Sequence, residues 1–108
     1  MEMLNVTVVE NDRWTRRALG RLLSQADLSV TTHASLEDAD EPVADVIVAG
    51  ASTIRDHLSR LTDPTPFVLI TDGDTCLDIA KIPNCQTVPK PIRVSTLLSA
   101  IAAAAKSI

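Results

Sequence analysis

The chain has 108 residues, of which 45% are hydrophobic and 22% charged, and carries a net charge of −4; this is the make-up of one globular domain, residues 1–108, built round a single core. No apolar run approaches the ~20 residues that span a bilayer, and the N-terminus lacks a charged start followed by an apolar stretch and a cleavage site, so a cytoplasmic protein with no membrane contact is expected. The acidic balance argues against direct binding of a nucleic-acid backbone, which draws on clustered Lys and Arg.

Asn5-Val6-Thr7-Val8-Val9 is a β-branched run and predicts a first strand. Residues 13–26 change to a helical period: Trp14, Ala18, Leu19, Leu22, Leu23 and Ala26 fill one half of the helix, while Arg13, Arg16, Arg17 and Arg21 fill the other. Asp12 is placed to cap its first turn. Residues 28–32 predict a second strand and residues 35–40 a short acidic helix or turn, ended by Pro42. Residues 45–49 are nearly all apolar, as in a strand covered on both faces. A helix over 52–62 follows, with Ile54, Leu58 and Leu61 toward the sheet. After Asp63-Pro64-Thr65-Pro66 comes a fourth strand, residues 67–71. Residues 72–84 are irregular and leave room for about two helical turns. A fifth strand over 85–88 and a final helix from Val94 to about Lys106 complete the chain.

Alternating strands and helices imply right-handed crossovers and a parallel sheet covered on both faces, with the second and fourth helices reduced. In such sheets the ligand crevice lies at the carboxyl ends of the strands, where strand order reverses. Glu10, Gly50, Thr71 and Lys90 all fall at strand ends or just beyond them.

Three segments carry a resemblance over nearly the whole chain: Val8-Val9-Glu10-Asn11-Asp12 after the first strand, Leu69-Ile70-Thr71 closing the fourth, and Lys90-Pro91-Ile92 before the last helix. Together they resemble the receiver domain of two-component response regulators. The resemblance implies a flavodoxin-like, doubly wound sheet of order 2-1-3-4-5. In that family an acidic pair, a phospho-accepting Asp, a Ser or Thr and a Lys-Pro converge at the strand ends. Here Glu10 and Asn11 stand at the pair, and Gly50 stands where the acceptor belongs. Thr71 matches the switch hydroxyl, and Lys90-Pro91 the cationic group, with a cis peptide implied at Pro91. Thr87 stands where the family has an aromatic that turns with the switch, and Asp72 where a small residue is usual.

Phosphoryl transfer to a carboxylate requires a nucleophilic oxygen, a divalent cation, a hydroxyl donor and a cationic side chain. The sequence supplies the last two. The expectation is a degenerate, phosphorylation-independent receiver: not an enzyme, with no catalytic residue, metal or cofactor, and with Glu10 and Lys90 balancing one another. It would signal by protein–protein contact with a histidine kinase, a phosphotransferase or an output domain. The alternative is a flavodoxin-like domain binding a small ligand or cofactor. Against it stand three glycines, two aromatics and no glycine-rich phosphate loop.

Two surfaces are interface candidates. One is the arginine stripe Arg13, Arg16, Arg17 and Arg21, on a helix that in the receiver family helps meet kinases and phosphotransferases. The other is the outside of the last helix, with Thr96, Ser99, Ala100 and Ala103 exposed and Val94, Leu97, Leu98, Ile101 and Ala105 buried, a candidate homodimer face. Cys76 and Cys85, nine residues apart, fit neither a redox pair nor a zinc knuckle. His33 and His57 are isolated, and Asp72-Gly73-Asp74 is expected to be a turn.

Overall fold

The computed structural model describes residues 4–35, 45–50, 66–71, 85–90 and 92–106. Its strands are β1 (Asn5–Val9), β2 (Ser29–His33), β3 (Val46–Gly50), β4 (Phe67–Thr71) and β5 (Cys85–Pro89); its helices are α1 (Arg13–Ser24) and α2 (Val94–Lys106). The strands form one parallel sheet of order β2-β1-β3-β4-β5, the flavodoxin-like arrangement expected. Expected helices over 35–40, 52–62 and 72–84 lie, apart from Ser35, on residues 36–44, 51–65 and 72–84, outside the described ones, as do His57, Asp72, Cys76 and Pro91.

β1 pairs with β2 on one side, from Asn5↔Ser29 to Val9↔His33, and with β3 on the other, from Val6↔Val46 to Val9↔Ala49. Winding therefore reverses after β2, and the switch point lies between the carboxyl ends of β1 and β3. Strand residues alternate between faces. Val6, Val8, Val48, Val68 and Ile70 share one face with Leu19 and Leu23 of α1 and with Leu97 and Ile101 of α2. Residues of the opposite face, among them Val9, Ala49 and Leu69, are fully buried too. Each Val, Leu or Ile side chain so removed from water contributes roughly 1.5–3 kcal/mol, which explains the unbroken apolar run in β3.

β1, β4 and α2 have the expected bounds, and the remaining elements shift slightly. β2 runs one residue later than expected, because Ser29 donates to the Leu4 carbonyl and Glu10 donates to that of His33, carrying the ladder to His33. β3 is also one residue late. Asp45 acts as its entry clamp: its N–H donates to the Asn5 carbonyl (2.8 Å) and its carboxylate accepts the Asn5 N–H (2.8 Å). β5 takes in Pro89, which a strand tolerates only at an edge. Lys90 N–H donates to the Thr71 carbonyl (3.0 Å), so the alternate residue Pro89 faces its missing donor away from β4.

α1 stops at Ser24 rather than Ala26. Ala26 N–H donates back three residues to the Leu23 carbonyl, and Asp27 takes a left-handed conformation (φ 60°), which short polar side chains tolerate best. Gly20 sits where α1 crosses β2; a Cβ there would lie 3.1 Å from the Thr32 methyl, so glycine permits the close approach despite its poor helix propensity.

Two helix faces differ from expectation. Trp14 is 74% exposed and Ala18 is exposed too. The apolar stripe of α1 is narrower than half a turn, centred on Leu19 and Leu23, and at 100° per residue Trp14 and Ala18 fall outside it. In α2 the buried residues are Leu97, Ile101 and Ala104, with Leu98 and Ala105 half-buried. Val94, the first residue of α2, is 41% exposed. Among the described residues no helix is long and apolar enough to cross a membrane.

Candidate functional site

The carboxyl end of β1 is held by hydrogen bonds from both directions. Glu10 is buried (4% exposed), and its backbone N–H completes the ladder to His33. Its Oε1 accepts the Asp12 N–H (3.1 Å), and its carbonyl accepts from Arg16 Nη1 (2.9 Å). Asp12 has extended backbone and caps α1 as expected. Its Oδ2 accepts both the Thr15 N–H (2.8 Å) and the Thr15 hydroxyl (2.6 Å).

These contacts hold the Asp12 carboxyl below the usual carboxylate range. The Thr15 hydroxyl is the largest cause and the Thr15 N–H next; desolvation opposes them, and the positive charges of Lys90 and Arg16 add smaller effects in the lowering direction. Lys90, beyond the end of β5, is thus within electrostatic reach of the end of β1. Asn11, between the two acids, is exposed.

Gly50 ends β3 and is buried, paired in register with Ile70 of β4. It stands beside the switch point and offers no side-chain oxygen. Thr71 ends β4 half-buried, in register with Pro89. Thr87 is exposed on β5, opposite Leu69. The fold therefore brings Glu10, Asn11, Gly50, Thr71 and Lys90 to one pole of the sheet, as the sequence suggested.

The receiver resemblance implies a magnesium ion at this pole, held by hard oxygens in near-octahedral geometry. Among the described residues, Glu10 directs one carboxylate oxygen to a backbone N–H and Asp12 caps a helix. Asn11 offers a neutral amide oxygen in place of a carboxylate, and Gly50 has no side-chain oxygen. No three His, Cys, Asp or Glu side chains gather among the described residues. This donor set does not fit a resident magnesium ion.

The arginine stripe divides in two. Arg16 is half-buried and tied to the Glu10 carbonyl, so it belongs to the frame of the crevice. Arg13, Arg17 and Arg21 are exposed. Arg17 and Arg21 line a concavity with Trp14 and Ala18, a grouping concealed in the sequence by the assignment of Trp14 to the core. The signal was present: arginines three and seven residues after Trp14 place it on their side of the helix. On α2, Thr96, Ser99 and Ala103 are exposed, while Ala100 is half-buried against the core. Thr96 shares a second concavity with Pro89, Lys90 and Arg93.

No family model matches the chain and no curated protein matches it. Solved structures do. A response regulator receiver protein from Burkholderia phymatum is 19% identical with a TM-score of 0.79, over 97% of this chain and 96% of that one. The structure of FixJ-N is 22% identical with a TM-score of 0.82, over 100% of this chain and 98% of that one. Full-length FixJ from B. japonicum is 20% identical with a TM-score of 0.80, and there the match covers 98% of this chain but 60% of the longer one. What the chain shares with all three is the fold.

Proposed function

We propose that this chain is a degenerate receiver: a response-regulator-like signalling domain, working in the cytoplasm through protein contacts and not switched by aspartyl phosphorylation. The observation that carries this reading is Gly50, buried at the end of β3 beside the switch point. An acyl phosphate forms when a carboxylate oxygen attacks phosphorus and the donor's oxygen departs. Gly50 has no such oxygen.

The surrounding residues support the same reading. Asn11 removes one negative charge from the acidic pair, and Thr87 replaces an aromatic readout. Glu10 and Asp12 are engaged in holding the β1–α1 connection, with the positive charge of Lys90 nearby. A crevice built this way balances its charges without a cation. The same engagement counts against a cofactor domain of this architecture, since the backbone after β1 serves as the cap of α1 and does not form an open phosphate loop.

Surfaces then carry the signal, toward a kinase, a phosphotransferase or an output domain. Calorimetric titration with magnesium tests the state of the crevice. No saturable heat is expected in the micromolar range; a saturable micromolar isotherm would overturn the proposal.

A further inference from the structure

We propose that the concavity on α1 binds a purine nucleoside diphosphate, with the base stacked on Trp14 and the diphosphate held by Arg17 and Arg21. Trp14, Arg17, Ala18 and Arg21 line it, at the i, i+3, i+4, i+7 spacing that makes one stripe along a helix. Trp14 is 74% exposed, although folding normally covers a tryptophan to a large extent. Ala18 is exposed too and leaves space beside the indole. The site lies apart from the crevice at the strand ends, so the inference goes beyond the preceding reading and does not depend on it.

The chemistry of the lining selects the ligand. An exposed indole face is a stacking platform for a nucleobase, since every base has a π-face, and a purine covers more of it than a pyrimidine does. Arg17 and Arg21 supply planar forks of N–H donors, which match phosphate oxygens in pairs. α1 carries no Asp or Glu within Arg13–Ser24, so no acid of the same helix competes for those forks. Arg16 is committed elsewhere, its Nη1 donating to the Glu10 carbonyl (2.9 Å). Spacing sets the direction in which the ligand lies. From Trp14 to Arg21 is about 10 Å along the axis, with Arg17 between them. A nucleoside diphosphate laid along the helix covers that span from base to terminal phosphate, and Ala18 leaves room for the ribose. Neither half of the ligand meets the whole site: pyrophosphate cannot stack, and a nucleoside brings no anion to the arginines.

A nucleic-acid strand fits less well. A net charge of −4 repels a long polyanion along its length, whereas a single diphosphate feels mainly the charges within a Debye length, ~8 Å at physiological salt.

Trp14, the only tryptophan in the chain, reports on the site directly. GDP and ADP are the probes, titrated into the 108-residue chain without added magnesium and followed by calorimetry and by quenching of the indole emission. Saturation below about 1 mM is expected, with adenosine and inorganic pyrophosphate binding at least tenfold more weakly. The double variant Arg17→Gln, Arg21→Gln should weaken binding at least tenfold, and Trp14→Leu should do the same when read by calorimetry. Arg13→Gln, which alters the charge of the same helix outside the concavity, should leave binding unchanged. Far-UV circular dichroism checks that each variant is folded. Absence of saturation, adenosine or pyrophosphate binding as tightly as GDP, full affinity in the double arginine variant, or tighter binding of a single-stranded oligonucleotide would each overturn the assignment. A phosphate adduct at the crevice would sink the preceding reading yet leave this outcome untouched, because the nucleotide's contacts are all on the outer face of α1.

Discussion

The two described helices lie on the same face of the sheet and bury it in the same way, but their outward faces are unalike. α1 packs with Leu19 and Leu23 and α2 with Leu97 and Ile101, each nearly fully buried. Outside, α1 shows an indole between arginines, while α2 shows Thr96, Ser99, Ala102 and Ala103. Inner faces answer to the common demand of covering the sheet, α1 over β1 and β2 and α2 over β3, β4 and β5, so their chemistry converges. Outer faces are free of that demand, so the difference between them reports on something other than folding. Trp and Arg recur at the centres of binding interfaces; small side chains on a helix are equally well explained by helix propensity.

The largest effects should appear where the helices are alike. Leu23→Ala and Leu97→Ala each remove a fully buried side chain and are expected to cost about 2–5 kcal/mol in urea unfolding. If either falls far below that range, the inner faces are not equivalent supports. Next comes the junction that ties α1 to β1. Glu10→Ala leaves the Asp12 N–H without its side-chain acceptor and should cost roughly 1–3 kcal/mol; a neutral result would mean that Glu10 is held for function and not for structure.

A smaller, pH-dependent effect separates the helices further, since only α1 has a described carboxylate cap. The Asp12 carboxyl is held below its ordinary value of 3.8. Its contribution is therefore present above that value and lost as the pH falls through the lower, folded-state value. Asp12→Asn should lower the melting temperature at neutral pH and flatten the acid limb below 3.8. An unchanged acid limb would assign that limb to other carboxylates. The smallest effects belong to the outer faces. Trp14→Ala and Ala103→Glu should each change stability by less than about 0.5 kcal/mol. Ala103→Glu should also leave the sedimentation coefficient unaltered; conversion of a dimer to a monomer would make α2 the interface.

Much of this was legible from the residues alone. β1 and β4 could be bounded because β-branched and apolar runs end abruptly at polar residues, and Lys90 could be placed because Pro follows it. The cap at Asp12 was equally visible, standing just before the helical period. Helix faces were harder. A half-circle drawn at 100° per residue cannot tell a wide stripe from a narrow one, so hydrophobicity alone places Trp14 and Val94 on the core side. Arg16 looked like one more surface charge because nothing local marks the Glu10 carbonyl, six residues back and across a turn, as its acceptor. The strand shifts in β2 and β3 depended on partners 24 and 40 residues away in the chain, Ser29 against Asn5 and Asp45 against Asn5.

The proposed loss of phosphoryl acceptance in the crevice at the carboxyl ends of β1 and β3 is tested by incubating the chain with acetyl phosphate and magnesium, followed by intact mass analysis. The unmodified mass is the predicted result. A stoichiometric phosphate adduct would contradict it and show that an oxygen other than one at Gly50 serves as the acceptor.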